Sequence, residues 1–156
     1  MTKLVITVTR QVDTINQMFD ELIKESKLGT MFLKTARAVY LSKLKSLFYM
    51  MRKRLSGYIT KENKNEFECV EEGDQEYIKQ QLKKFEDFMF GDEKTLNEDK
   101  EYQMFKNDRF IDKVIKTFKR SKSAPKSFLI KKALRGGKVF DFFTRSGISI
   151  VWKVKP

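Results

Sequence analysis

The sequence predicts a predominantly helical α+β fold of four to five helices with a small antiparallel sheet. That sheet is built from a C-terminal hairpin, with the N-terminal strand as its candidate third member. Three observations point there. Apolar residues recur at three- and four-residue spacings through most of the chain between residues 12 and 118. A β-branched run occupies Leu4 to Thr9, and alternation returns after Val139. With 156 residues, 40% hydrophobic and only two prolines, the chain can bury its own core, and a single compact domain over residues 1–156 is expected.

Leu4 to Thr9 reads as a strand because Val, Ile and Thr are stiff at χ1 and fit a pleated surface. Val12, Ile15, Met18, Phe19, Leu22 and Ile23 then form the stripe of an amphipathic helix, which Gly29 can end. From Thr30 to Ser56 a longer helix carries Leu33, Ala36, Tyr40, Leu44, Leu47, Phe48, Met51 and Leu55 on one face. Phe32, Val39 and Met50 make a second apolar line, so this helix is expected to be central, with Gly57 as its stop.

Thr60 to Gly73 is polar and reads as a loop with a short strand around Phe67 to Val70. Asp74 can cap a helix to Phe90 bearing Ile78, Leu82, Phe85 and Met89, with Gly91 closing it, and Asp92 to Asp99 reads as a loop. Phe110, Ile111, Val114, Ile115 and Phe118 mark the next helix, beginning near Asp108. Pro125 can start a short helix ending at Arg135 and capped by Gly136. Val139 to Thr144 and Ile148 to Val154 then read as a hairpin across Arg145, Ser146 and Gly147, with Ile148, Ile150, Trp152 and Val154 on a buried face.

Charge is distributed unevenly around a formal net +12. Residues 1–29 balance, residues 30–61 hold eight bases and no acid, and residues 62–112 carry −8. Residues 113–156 set thirteen bases against a lone acid, Asp141. Lysine-rich coding bias can raise the lysine count, but it does not remove acids from one third of a chain. On the helix after Pro125, Lys131, Lys132 and Arg135 oppose Leu129, Ile130, Ala133 and Leu134, with Phe128 among the bases. An aromatic ring inside a basic face suits nucleic acid, where bases stack while phosphates are neutralised; the bland reading makes Phe128 core.

Residues 109–156 thus form a basic helix-helix-hairpin subregion. In element order it resembles a winged helix-turn-helix, with Arg145 at the wing tip. A second candidate strip is Lys34, Lys45 and Arg52 on the long helix, bordered by Arg37, Lys53 and Arg54. Its plainer explanation is pairing with the acidic middle of the chain.

Several chemistries are closed or weak. There is no histidine and a single cysteine, which removes the usual general base, the Ser-His and Cys-His pairs and an intrachain disulfide or structural zinc site. Cys69 lies among Glu66, Glu68, Glu71 and Glu72, which disfavour its thiolate, so it reads as structural. Glu62-Asn63-Lys64 and Glu98-Asp99-Lys100 spell the Glu-x-Lys of some metal-dependent nucleases, but neither sits in a convincing strand. Ser121 and Ser123 could take phosphates that weaken the positive field.

The expectation is a non-enzymatic nucleic-acid-binding protein with no cofactor and no metal. Lys126, Lys131, Lys132, Arg135, Lys138 and Arg145 would contact phosphates, Phe128 would stack, and Lys34, Lys45 and Arg52 would form the second strip. The alternative is a protein-interaction module, such as a viral or phage factor docking on an acidic partner or on itself, with a metal-dependent nuclease third. No membrane span or signal peptide is read from the five-residue Leu4–Val8 run, so a cytoplasmic, nuclear or virion-associated protein is expected.

Overall fold

A computed structural model describes residues 1–25, 30–90, 93–120, 143 and 146–156. Within them lie a four-stranded antiparallel sheet and six α-helices, so the α+β, predominantly helical class holds. The sheet runs in the order β2-β3-β1-β4, where β1 is Thr2–Arg10, β2 Ile59–Glu62, β3 Glu66–Gly73 and β4 Ile148–Lys155. The N-terminal strand is therefore an inner member of the sheet. Its alternation places Leu4, Ile6, Val8 and Arg10 on the buried face and leaves Lys3, Val5, Thr7 and Thr9 on the other.

Two strand expectations change. The polar stretch after Thr60 is a hairpin of β2 and β3 rather than mostly loop. Phe67 and Cys69 point inward while Glu66, Glu68 and Glu72 stand opposite Thr9, Thr7 and Lys3 on the outer face. Glutamate has low strand propensity, but on a solvated face the pairing with β1 decides the conformation. On the other side, β4 pairs with β1 along its length, from Lys3 opposite Lys155 to Arg10 opposite Ile148.

The strand expected to face β4, residues 139–144, lies outside the described residues except for Phe143, which is helical rather than extended. Ser146, expected in the loop, is helical too, and its hydroxyl donates to the Phe143 carbonyl at 2.8 Å. Gly147 does take the expected positive φ, 103°. Ile148 and Ile150 are buried and Trp152 half-buried, but Val154 is exposed, as suits an edge strand among the described residues.

The helices are α1 Val12–Glu25, α2 Thr30–Arg54, α3 Gln75–Phe90, α4 Glu93–Asn97, α5 Lys100–Asn107 and α6 Arg109–Arg120. Central placement of α2 is borne out, since it touches α1, α3, α5 and β1. The main stripe is buried from Ala36 to Leu55, whereas in the second apolar line only Met50 is, with Phe32 and Val39 exposed. The helix stops at Arg54, and Gly57 lies in a following 3-10 turn, Ser56–Tyr58, without a positive φ.

Asp74 caps α3 by accepting from the Tyr77 amide at 2.8 Å. In place of the loop expected over residues 92–99 there is α4, whose Leu96 is fully buried. No helix is expected for 100–107, yet α5 forms there. Asp99 accepts from the Glu101 and Tyr102 amides, while Tyr102 and Phe105 enter the core. The clean stripe of α6 buries Ile111, Val114, Ile115 and Phe118.

Around Tyr40, the rings of Phe19, Phe105 and Phe118 stand 5.9, 5.5 and 5.6 Å away, mostly edge to face. Among the described residues no helix is long and apolar enough to cross a membrane.

Candidate nucleic-acid interface

Of the expected contact residues, Lys126, Phe128, Lys131, Lys132, Arg135, Lys138 and Arg145 lie outside the described residues, as does the second helix of the winged arrangement. Lys34, Lys45 and Arg52 lie on α2. Their spacings of eleven and seven residues bring them within about 20° of one line, over roughly 27 Å of helix.

The eight cations of residues 30–61 divide into two sets. Four meet acids from elsewhere in the chain. Arg37 pairs with Asp20 at 2.6 Å, Lys43 with Asp108, Arg52 with Glu62 at 2.6 Å, and Arg54 with Asp99 at 3.5 Å. Three of these acids come from the acidic middle, so internal pairing accounts for part of the strip. Lys34, Lys45, Lys53 and Lys61 have no ion pair among the described residues, and all four are exposed.

Three of these four lysines gather around Tyr49. Phe48, its neighbour, points into the core and packs on Phe67 at 5.3 Å, with the buried Arg10 guanidinium 5.8 Å over its ring. One step of 100° turns Tyr49 to the rim, where it is half-buried. The Lys45 ammonium lies 5.7 Å and the Arg52 guanidinium 5.4 Å from the Tyr49 ring centre.

Two grooves meet at this ring. The first, about 510 Å³, is lined by Tyr49, Arg52, Lys53, Ser56, Ile59, Thr60, Lys61 and Glu62. The second, about 570 Å³, is lined by Ser46, Tyr49, Met50, Lys53, Arg54, Asp99 and Glu101. Among the described residues Glu62 is the only acid lining the first, and Arg52 matches it, so Lys53 and Lys61 leave that lining positive. In the second, Asp99 matches Arg54 and Glu101 offsets Lys53.

Lys61 lines the groove next to a shift in the β2–β3 register between Ile59 and Lys61, an irregularity of the kind that can re-aim a side chain. Thr60 is held there by donating to the Glu68 carbonyl at 3.1 Å.

The sequence places Lys53 at the end of the second strip but does not single out Tyr49 or Lys61. Lys45, Tyr49, Arg52 and Lys53 do stand at i, i+4, i+7 and i+8, a readable helical signal. Lys61 had none, since a tertiary contact brings it in. The remaining candidates have local roles. Cys69 is fully buried, and burial first, then Glu71 and Glu68, pushes its thiol up to about 12. Glu62 ends an outer strand and pairs with Arg52, and Asp99 caps α5. Among the described residues no three His, Cys, Asp or Glu side chains gather closely enough to hold a metal ion. No family model, curated protein or solved structure matches this chain.

Proposed function

We propose that this protein binds nucleic acid through phosphate contacts and does no chemistry on it. The observation that carries the reading is the division of the cations of residues 30–61. Four are matched by acids and four are unmatched among the described residues, and three of the unmatched, Lys45, Lys53 and Lys61, stand together at one aromatic rim. Unmatched lysines cost stability through mutual repulsion, and polyanionic phosphate relieves it. The thirteen bases against one acid in residues 113–156 add to the same field.

Fluorescence anisotropy with a labelled oligonucleotide, titrated between about 50 and 200 mM salt, tests this. Affinity should fall steeply with salt and drop further when Lys45, Lys53 and Lys61, or Lys131, Lys132 and Arg135, become alanine. Salt-independent binding, or two triple variants as tight as wild type, would refute the reading.

A second reading, a module docking on another protein or on itself, is favoured by apolar side chains left open on the first half of α2. Met31 is 76% and Phe32 59% exposed. A purified protein that carries no nucleic acid, with the 260/280 nm absorbance ratio of protein alone, and migrates as a defined oligomer would favour it.

A further inference from the structure

We infer that the groove beside Tyr49 takes an unpaired nucleotide, so that the ligand is single-stranded nucleic acid with one base stacked on the Tyr49 ring. This rests on the nucleic-acid reading above and narrows it.

The geometry separates single strands from duplex. A phosphate grip alone needs only exposed lysines, and a duplex presents its phosphates on a convex surface with its base faces hidden in the stack. Here two of the unmatched cations, Lys53 and Lys61, line a concavity of about 510 Å³, the size of a small-molecule site, between the end of α2 and β2. A groove of that size admits a nucleotide and not a double helix. Its wall carries an aromatic ring, which helps binding only when a base face is free to meet it.

The charges fit the same occupant. Arg52 is tied to Glu62 and stays beside the ring, fixing one side of the platform. Lys45 is exposed and untied among the described residues, so its ammonium can leave the ring for a phosphate as a base arrives. Lys53 and Lys61 line the groove and would hold the flanking phosphates, with Ser56 and Thr60 adding hydroxyls to its lining. Because α2 ends here, its last carbonyls oppose an anion, and Lys53 and Arg54 offset them.

The test measures anisotropy with twelve-residue oligothymidine and oligouridine, and with a duplex of the same length, at one salt concentration. Both single strands, or one if the sugar matters, should bind more tightly than the duplex. Tyr49→Leu should weaken single-strand binding at least about fivefold without changing the salt slope, while Tyr49→Phe binds like wild type. Lys53→Ala and Lys61→Ala should each lower the slope by about 0.7.

A readout independent of any variant is ultraviolet cross-linking of the wild type to 5-iodouridine-containing single strand, expected on the peptide holding Tyr49. If neither single nor double strands bind, the nucleic-acid reading itself falls. If nucleic acid binds but duplex is preferred, Tyr49→Leu binds as wild type, or cross-links appear only elsewhere, the reading stands and the Tyr49 site is overturned.

Discussion

The hydroxyl of Tyr40, midway along α2, donates a 2.8 Å hydrogen bond to the carbonyl of Ser146, just before β4. Both groups are buried, and burial raises the phenol above its ordinary range, so it stays a neutral donor. One bond thus fastens the hub helix to the segment that delivers the edge strand β4. Tyr40→Phe keeps the ring packing but leaves the carbonyl without this donor. Urea unfolding should show a loss of about 1–3 kcal/mol, and an unchanged midpoint would contradict the role given to this bond.

Asp108 accepts from the Phe110 and Ile111 amides at 2.9 and 3.1 Å and pairs with Lys43. Lys43 first, then those amides, holds its carboxyl below the usual range. Its folded value is depressed, so its contribution is complete above the unfolded carboxylate range and is lost as pH falls through the folded value. Asp108→Ala should cost about 1–2 kcal/mol near neutral pH, and the penalty should shrink below about pH 4. A penalty that persists undiminished in acid would show that the carboxylate is not its source.

Cys69 has no exposed surface and a thiol raised to about 12. An aromatic disulfide reagent at pH 8 should therefore label it only as fast as the protein opens. Rapid stoichiometric labelling of native protein, with no acceleration in denaturant, would be incompatible with that burial.

Gly73 ends β3 against the ring of Tyr77, where an added Cβ would clash with Cδ1. Tyr77 is partly exposed and can swing aside, at the expense of its 3.2 Å bond to Glu71. Gly73→Ala should cost about 1 kcal/mol, and much less in a Tyr77→Ala background. Additive effects in that cycle would place the cost elsewhere.

How much of this was legible depended on whether the signal was local. The stripe of α6 and the cap at Asp74 follow from periodicity and side-chain chemistry within a few residues, and both are present. By contrast, α5 has only Tyr102 and Phe105 to bury, and β3 is half glutamate. Their structure is decided by the surfaces they meet, which no window of sequence contains. The site divides the same way. Lys34, Lys45 and Arg52 align by helical arithmetic alone, but which cations are neutralised depends on Asp20, Glu62, Asp99 and Asp108 arriving from other elements.

The strand order has a consequence for how the chain acquires its structure. β1 is flanked by β3 and by β4, and the β4 contacts join residues separated by almost the whole sequence. Ring closure on that scale is slow and comes late, so the helices and the β2–β3 hairpin can assemble while one side of β1 is still unpaired. During synthesis that hydrogen-bonding edge is open until β4 emerges. A chain cut before Ile148 would keep it open permanently, as a template for aggregation.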